Sequence, residues 1–159
     1  MSNKPILFAD CVSAESTLIK VISNTSRNMH LYASIIDPAL FNSEPCVAAF
    51  SRFARSSKVA KLQVLIEDHK LFAIRNPAFL DLAQRLTGRI EIRSVPAEIR
   101  VDSACYLLGD EQSIWYIPDS GVLSGTYNES NRVRAQKLAE QFLYLWERSK
   151  QPQDFRRLN

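Results

Sequence analysis

Hydrophobic positions in this chain fall into short unbroken blocks, separated by stretches in which apolar residues recur at helical spacing. Pro5–Ala9 is an apolar run that stops at Asp10 and predicts a buried strand. Ser13 then caps a helix with Leu18, Ile19 and Ile22 on one face, closed by Ser23–Arg27. Met29–Ile36 predicts the next strand, ended by Asp37-Pro38 because a residue before proline is pushed into extended geometry. Ser43-Glu44-Pro45 supplies a capping hydroxyl, a first-turn acid and a proline whose missing N–H costs nothing there, so a helix starts here. Val47, Phe50 and Phe53-Ala54 continue it at the expected spacing. Leu62–Ile66 is a third strand, halted by Glu67-Asp68-His69. Asn76-Pro77 opens a helix that buries Leu80, Ala83 and Leu86 and finishes at Gly88.

After Ile90–Val95, read as a strand, the rhythm changes. Ala104–Leu108 and Ser113–Ile117 predict two strands joined by the turn-rich Gly109-Asp110-Glu111-Gln112. A final helix runs from about Glu129 to Ser149, with Ala135, Leu138, Phe142, Leu145 and Trp146 as its apolar stripe. The order is β-α-β-α-β-α-β, a hairpin and a long helix. It predicts an α/β fold with a mixed, mostly parallel sheet and helices on both faces. No repeat or linker interrupts the pattern, so residues 1–159 read as one domain.

The chain is 46% apolar and 23% charged, a globular composition. No apolar run approaches the roughly 18 residues needed to cross a bilayer. The stretch after Met1-Ser2-Asn3-Lys4 is too brief for a secretory signal. Cys11, Cys46 and Cys105 form no CxxC pair, and reduced thiols in a cytoplasmic protein are the simplest account. The net charge of +3 hides a block pattern. Residues 51–100 carry 10 basic and 5 acidic side chains, whereas residues 101–131 carry five acids and no Lys or Arg. Such blocks place charge of one sign on one part of a surface.

Catalytic signatures are missing. Gly88, Gly109, Gly121 and Gly125 are too scattered for a phosphate-binding loop, and there is no GxSxG or HExxH. His30 and His69 are far apart in sequence, so neither a metal site nor a cofactor is expected. His30 lies among alternating apolar neighbours and reads as structural. His69 follows Asp68 just beyond a strand's carboxyl end, where open α/β sheets hold ligands, and Asp10 and Asp37 fall on the same edge. Asp37, Asp68 and His69 are therefore candidate ligand-edge residues, with turn formation the simpler role of each.

The element order resembles one half of a phospholipase-D-like domain. That superfamily carries a His-x-Lys-x(4)-Asp signature on the first strand of the hairpin. Aligning its aspartate with Asp110 puts Ser103 at the histidine and Cys105 at the lysine, so Ser103-Ala-Cys105-Tyr-Leu-Leu-Gly-Asp110 looks like the motif without its reactive groups. Asp37-Pro38-Ala-Leu-Phe41, Arg89-Ile-Glu-Ile-Arg93, Tyr116-Ile-Pro118, Tyr127-Asn128 and Leu145-Trp-Glu-Arg148-Ser resemble an uncharacterised bacterial branch, sometimes found behind an acetyltransferase domain. The resemblance implies a cleft lined by Ser103, Cys105, Asp110, Tyr116 and Asn128. It also implies pairing of two half-domains, hence a homodimer.

Ser103 cannot replace an imidazole nucleophile, and Cys105 cannot supply the fixed charge that a transferring phosphoryl group needs. The reading is a non-catalytic binding module with no catalytic residue assigned. Its ligand is a phosphate-bearing molecule or nucleic acid, and Arg52, Arg55, Lys58 and Lys61 offer a basic patch. The alternatives are a protein-interaction or regulatory partner acting as a homodimer, and a hydrolase or phosphodiesterase using Cys105 or His69.

Overall fold

The computed structural model describes residues 4–34 and 37–155. Met1, Ser2, Asn3 and the end of the second predicted strand, Ile35 and Ile36, lie outside the described residues. In chain order the elements are β1 (Ile6–Phe8), α1 (Cys11–Asn24), β2 (Asn28–Ala33), α2 (Pro38–Phe41), α3 (Glu44–Arg55), β3 (Lys61–Ile66), α4 (His69–Arg75), α5 (Pro77–Arg85), β4 (Ile90–Ser94), β5 (Cys105–Gly109), β6 (Ser113–Ile117), β7 (Gly125–Asn128) and α6 (Arg132–Arg148), followed by a short 3₁₀ turn at Gln153–Phe155.

Capping side chains set most of the helix starts. Asp10, rather than Ser13, caps α1: its carboxylate accepts from the Ser13 amide at 2.7 Å and from the Ser13 hydroxyl at 2.8 Å. Ser43 caps α3 as its sequence predicts, accepting from the Cys46 amide. Asp68 accepts from the Lys70 and Leu71 amides and starts α4, a helix that the polar run after β3 concealed. Asn76 stands at the start of α5, but its side chain does not cap it. The Asn42 side chain does so instead, its Oδ1 accepting from Ala78 N at 2.8 Å and Phe79 N at 3.2 Å.

The seven strands form one sheet in the order β1-β7-β6-β5-β2-β3-β4. β2, β3 and β4 are parallel, and the other four pairings are antiparallel. The sheet is mixed, with a smaller parallel share than the alternating sequence suggests. Two local causes account for this. β1 runs to the far edge and pairs antiparallel with β7, leaving Ile6 53% and Leu7 78% exposed, so it is an edge strand and not a buried one. β7 itself was hidden because Gly125-Thr-Tyr-Asn128 is too short and polar to stand out.

The layers are unequal. α1 to α5 pack on one face of the sheet, where Leu18, Val21, Phe50, Phe79 and Leu82 join Leu31, Val64 and Leu107 in the larger core. α6 alone packs on the other face, placing Ala135, Ala139, Phe142 and Trp146 against Tyr32, Leu65, Tyr106 and Leu108. Ridges of large side chains on a helix seal a sheet only where they meet it, so a single helix leaves part of that face uncovered.

Candidate functional site

Most of the candidate residues fall at two ends of the sheet. At one, β2 and β3 deliver their carboxyl ends and β5 begins; at the other, β2, β3 and β4 begin and β5 turns into β6.

Ser103 and Cys105 lie at the first end. Ser103 is exposed, and its carbonyl accepts from Ser120 N at 2.7 Å. The Ser120 hydroxyl stands 2.9 Å from that of Ser34, which directly follows β2. Cys105 pairs with Ala33 and Ile117 across the ladder and is only 2% exposed, facing the larger core. Burial pushes its thiol far above the ordinary range, and the nearby Asp37 charge pushes it further. A thiol held neutral inside a core is neither a nucleophile nor an anion-binding charge.

Asp110 lies at the opposite end of β5. Asp110 and Glu111 both have φ of 52°, and the turn closes with Gln112 N donating to Gly109 O. The Asp110 carboxylate accepts from the backbone amides of Ser26, Arg27 and Asn28 at 2.8–2.9 Å. Three convergent amides form a ready anion site, here filled by a side chain, which ties the α1–β2 connection to the hairpin. A Cβ at Gly109 would meet the Thr25 hydroxyl, which donates to the Val21 carbonyl at 2.6 Å, so a side chain there would have to displace it.

Tyr116 and Asn128 occupy a third region, on strands β6 and β7. Tyr116 stacks on Tyr106, which stacks on Tyr32, so three tyrosines form a ladder across β6, β5 and β2 under α6. The Arg134 guanidinium lies 4.6 Å from the Tyr116 ring centroid. Asn128 is buried at the end of β7, opposite Ile114. The structure therefore does not gather Ser103, Cys105, Asp110, Tyr116 and Asn128 around one cleft. Strand alternation sends Cys105 and Tyr106 to opposite faces, and the length of β5 separates Asp110 from Ser103.

Asp37, Asp68 and His69 do share one edge, at the carboxyl ends of β2 and β3. Both carboxylates are engaged at helix starts, Asp37 accepting from Ala39 N and Asp68 from Lys70 N and Leu71 N. His69 is half-buried, with Nε2 3.8 Å from Asp154 Oδ2 and its ring against Phe155. It borders an open hollow of about 510 Å³ that also meets Glu67, Glu98, Arg148 and Lys150. No three His, Cys, Asp or Glu side chains converge to hold a metal ion among the described residues.

Arg52 and Arg55 sit in the last turn of α3, with Lys58 and Lys61 leading into β3. All four are exposed, at the end of the sheet opposite Ser103. Sequence reasoning missed two neighbours. Arg27 directly precedes β2 and Arg89 directly precedes β4, and the available signal was a cation immediately before each strand. It also missed a groove of about 540 Å³ beside α6, lined by Tyr32, Tyr106, Arg100, Asp102, Glu140 and Tyr144. Among the described residues, no helix is long and apolar enough to cross a membrane.

This architecture is shared with solved structures at low sequence identity. Nuc from Salmonella typhimurium, a phospholipase D family member, superposes with a TM-score of 0.65 at 10% identity, covering 94% of this chain and 99% of that one. NucT from Helicobacter pylori gives 0.67 at 10% identity, with the same coverages. TrmBL2, an archaeal chromatin protein with a novel mode of DNA binding, gives 0.64 at 14% identity; the match covers 94% of this chain and 54% of that one. The fold expected from the hairpin and its terminal helix is thus the fold these proteins have. No curated protein matches the chain by sequence. Residues 10–158 match the family model described as "Domain of unknown function (DUF7931)", and the chain belongs to that family.

Proposed function

We propose that this chain is a non-catalytic phospholipase-D-like module that binds nucleic acid. The observation that carries the reading is the burial of Cys105. The position aligned with the signature lysine holds a neutral thiol facing the core, where phosphoryl transfer needs an exposed positive charge. Ser103 is exposed but has no imidazole in its segment to activate it, and the Asp110 carboxylate is spent on three backbone amides. A DNA-binding chromatin protein among the structural neighbours, together with the basic patch, supports nucleic acid as the ligand.

Purified protein is expected to cleave neither generic phosphodiesters nor nucleic acid above a Ser103→Ala, Cys105→Ala control. Metal-independent turnover abolished by changing His69 would overturn the reading in favour of a hydrolase.

A second reading, assembly as a homodimer that serves as an interaction partner, is favoured by one observation. β1 is an edge strand whose backbone is paired on one side, with Ile6, Leu7 and the neighbouring Val12 exposed. Light scattering at tens of micromolar protein tests it, and a single-chain mass would sink it.

A further inference from the structure

From Arg52 to Ile66 the chain contains no acidic residue, yet it carries Arg52, Arg55, Lys58 and Lys61. The fold places this stretch at the end of the sheet where the parallel strands begin. Lys61 N donates to Arg27 O and Leu62 N donates to Arg89 O. Arg27, Lys61 and Arg89 are therefore neighbours across β2, β3 and β4, a row spanning roughly 10 Å at the usual strand spacing. The end of α3 stands beside the row, because the Arg89 guanidinium donates to the carbonyls of Ala54 and Ser57.

Structural needs account for only part of this charge. The α3 macrodipole presents about half a negative charge at its carboxyl end, and the Arg89 guanidinium already meets it. Arg27, Arg52, Arg55, Lys58 and Lys61 are exposed, and none makes an ion pair among the described residues. Of the acids toward this end, Asp81 pairs with Arg85 and Asp110 is held by three amides, while Glu111 on the hairpin turn and Glu129, whose carbonyl accepts from the Ser113 hydroxyl, lie at the border. The opposite end is different. There Asp37, Glu67, Asp68, Glu98, Asp102 and Asp119 stand in the connections, interspersed with Lys70, Arg75, Arg100, Arg148 and Lys150, so acids and cations are mixed.

We infer that the basic end, centred on Arg52, Arg55, Lys58 and Lys61 and flanked by Arg27 and Arg89, is a docking surface for the phosphate backbone of duplex DNA. It lies at the opposite end of the sheet from Ser103 and Cys105, and Asp110 borders it through the Arg27 amide. The inference rests on the nucleic-acid reading above and adds where contact is made and to what form. A surface of this kind neutralises phosphates and reads no sequence. Duplex is favoured over single strands because base stacking needs exposed rings. The one large aromatic exposed among the described residues is Tyr144, near the far end of α6 from this surface.

Fluorescence anisotropy with a labelled duplex of arbitrary sequence tests this in salt from about 50 to about 200 mM. The key variant is Arg52→Glu/Lys58→Glu/Lys61→Glu. Its charge-matched control at the other end is Lys70→Glu/Arg75→Glu/Arg100→Glu. Wild type is expected to bind duplex with affinity that falls steeply as salt rises. The basic-end variant should lose more than about tenfold in affinity, with a salt slope shallower by roughly 0.9 for each phosphate contact removed. The control should lose clearly less. If glutamates at the basic end disturb folding, judged by circular dichroism, Arg52→Gln/Lys58→Gln/Lys61→Gln should give the same direction with a smaller loss. Equal losses in both variants would reduce the effect to net charge and overturn the inference, leaving the nucleic-acid reading standing. A loss confined to the control would move the contact to the Ser103 end and overturn the inference. Tighter binding to single strands than to duplex would overturn the duplex assignment. No binding to either form would end the nucleic-acid reading itself, and this inference with it.

Discussion

The two faces of the sheet are held in different ways. On one, α1 to α5 share the work through a large continuous core. At its centre Trp115 is fully buried, stacked on Phe8 at 5.3 Å, edge-on to Phe41, and donating from Nε1 to Ala14 O and the Thr17 hydroxyl. On the other, α6 alone covers a smaller core, with its rim closed by arginines lying over aromatic rings. Arg93 stands 4.2 Å from the Trp146 centroid, donating to the Trp146 carbonyl and to Glu91, and Arg134 covers Tyr116. The many-helix face gains stability from depth. The single-helix face depends on a few aromatic contacts, with cation–π interactions and aliphatic stems substituting for missing layers.

The comparison breaks most visibly at the two tryptophans. Trp115→Ala should cost about 4–5 kcal/mol, since it opens a cavity and strands buried hydrogen-bond acceptors, whereas Trp146→Ala should cost nearer 3 kcal/mol because its pocket borders solvent. Urea denaturation monitored by circular dichroism measures both. Equal losses would mean that the faces are equally deep, and a loss below about 1 kcal/mol at Trp146 would mean that the α6 stripe is not a core contact at all.

A smaller effect concerns how the helices are joined. Asn42 caps α5 across the gap from the α2–α3 connection, while Asn131 caps α6 from its own chain neighbour by accepting from Arg134 N. Asn42→Ala should destabilise the protein by about 1 kcal/mol. Hydrogen exchange should locate the effect at Ala78 and Phe79; unchanged protection there would show that the cross-element cap carries no weight.

The smallest expected effect is a pH dependence specific to the α6 face. His30 is buried beneath α6, its ring 4.8 Å from Phe142, and Nδ1 has no hydrogen-bond partner among the described residues. Burial lowers its pKa below the ordinary 6.5, partly opposed by Glu111 and by a hydrogen bond with Gln63. The folded chain thus resists a proton that the unfolded chain accepts. Stability from this group is complete above about pH 6.5 and declines as pH falls through 6.5 toward the lowered folded value. His30→Gln should flatten this part of the stability–pH profile. A slope unchanged by the substitution would assign it to carboxylates instead.

How much of this was legible in the sequence differs from element to element. The pattern predicted β1, α1, β2, α3, β3, α5, β4, the β5–β6 hairpin and α6, because each carries its own periodicity or punctuation: Ser43-Glu44-Pro45 before α3, Asn76-Pro77 before α5, Phe142 and Trp146 along α6. It missed α2, α4 and β7, whose short segments are stabilised by the Asp37 and Asp68 caps and by pairing with β6 rather than by a run of apolar residues. It put Ser103 and Cys105 where the signature His and Lys align, and residue type alone decides what chemistry those side chains can supply. Where those groups lie was decided only by the tertiary structure. Strand alternation turned Cys105 into the core, the length of β5 carried Asp110 to the other end of the sheet, and long-range pairing brought Arg27 and Arg89 beside Lys61. Local periodicity reports which face of an element is apolar, but it holds no information about which strand edge will stand next to which. That is set by contacts between residues far apart in the chain, and it determined which end of this protein is basic.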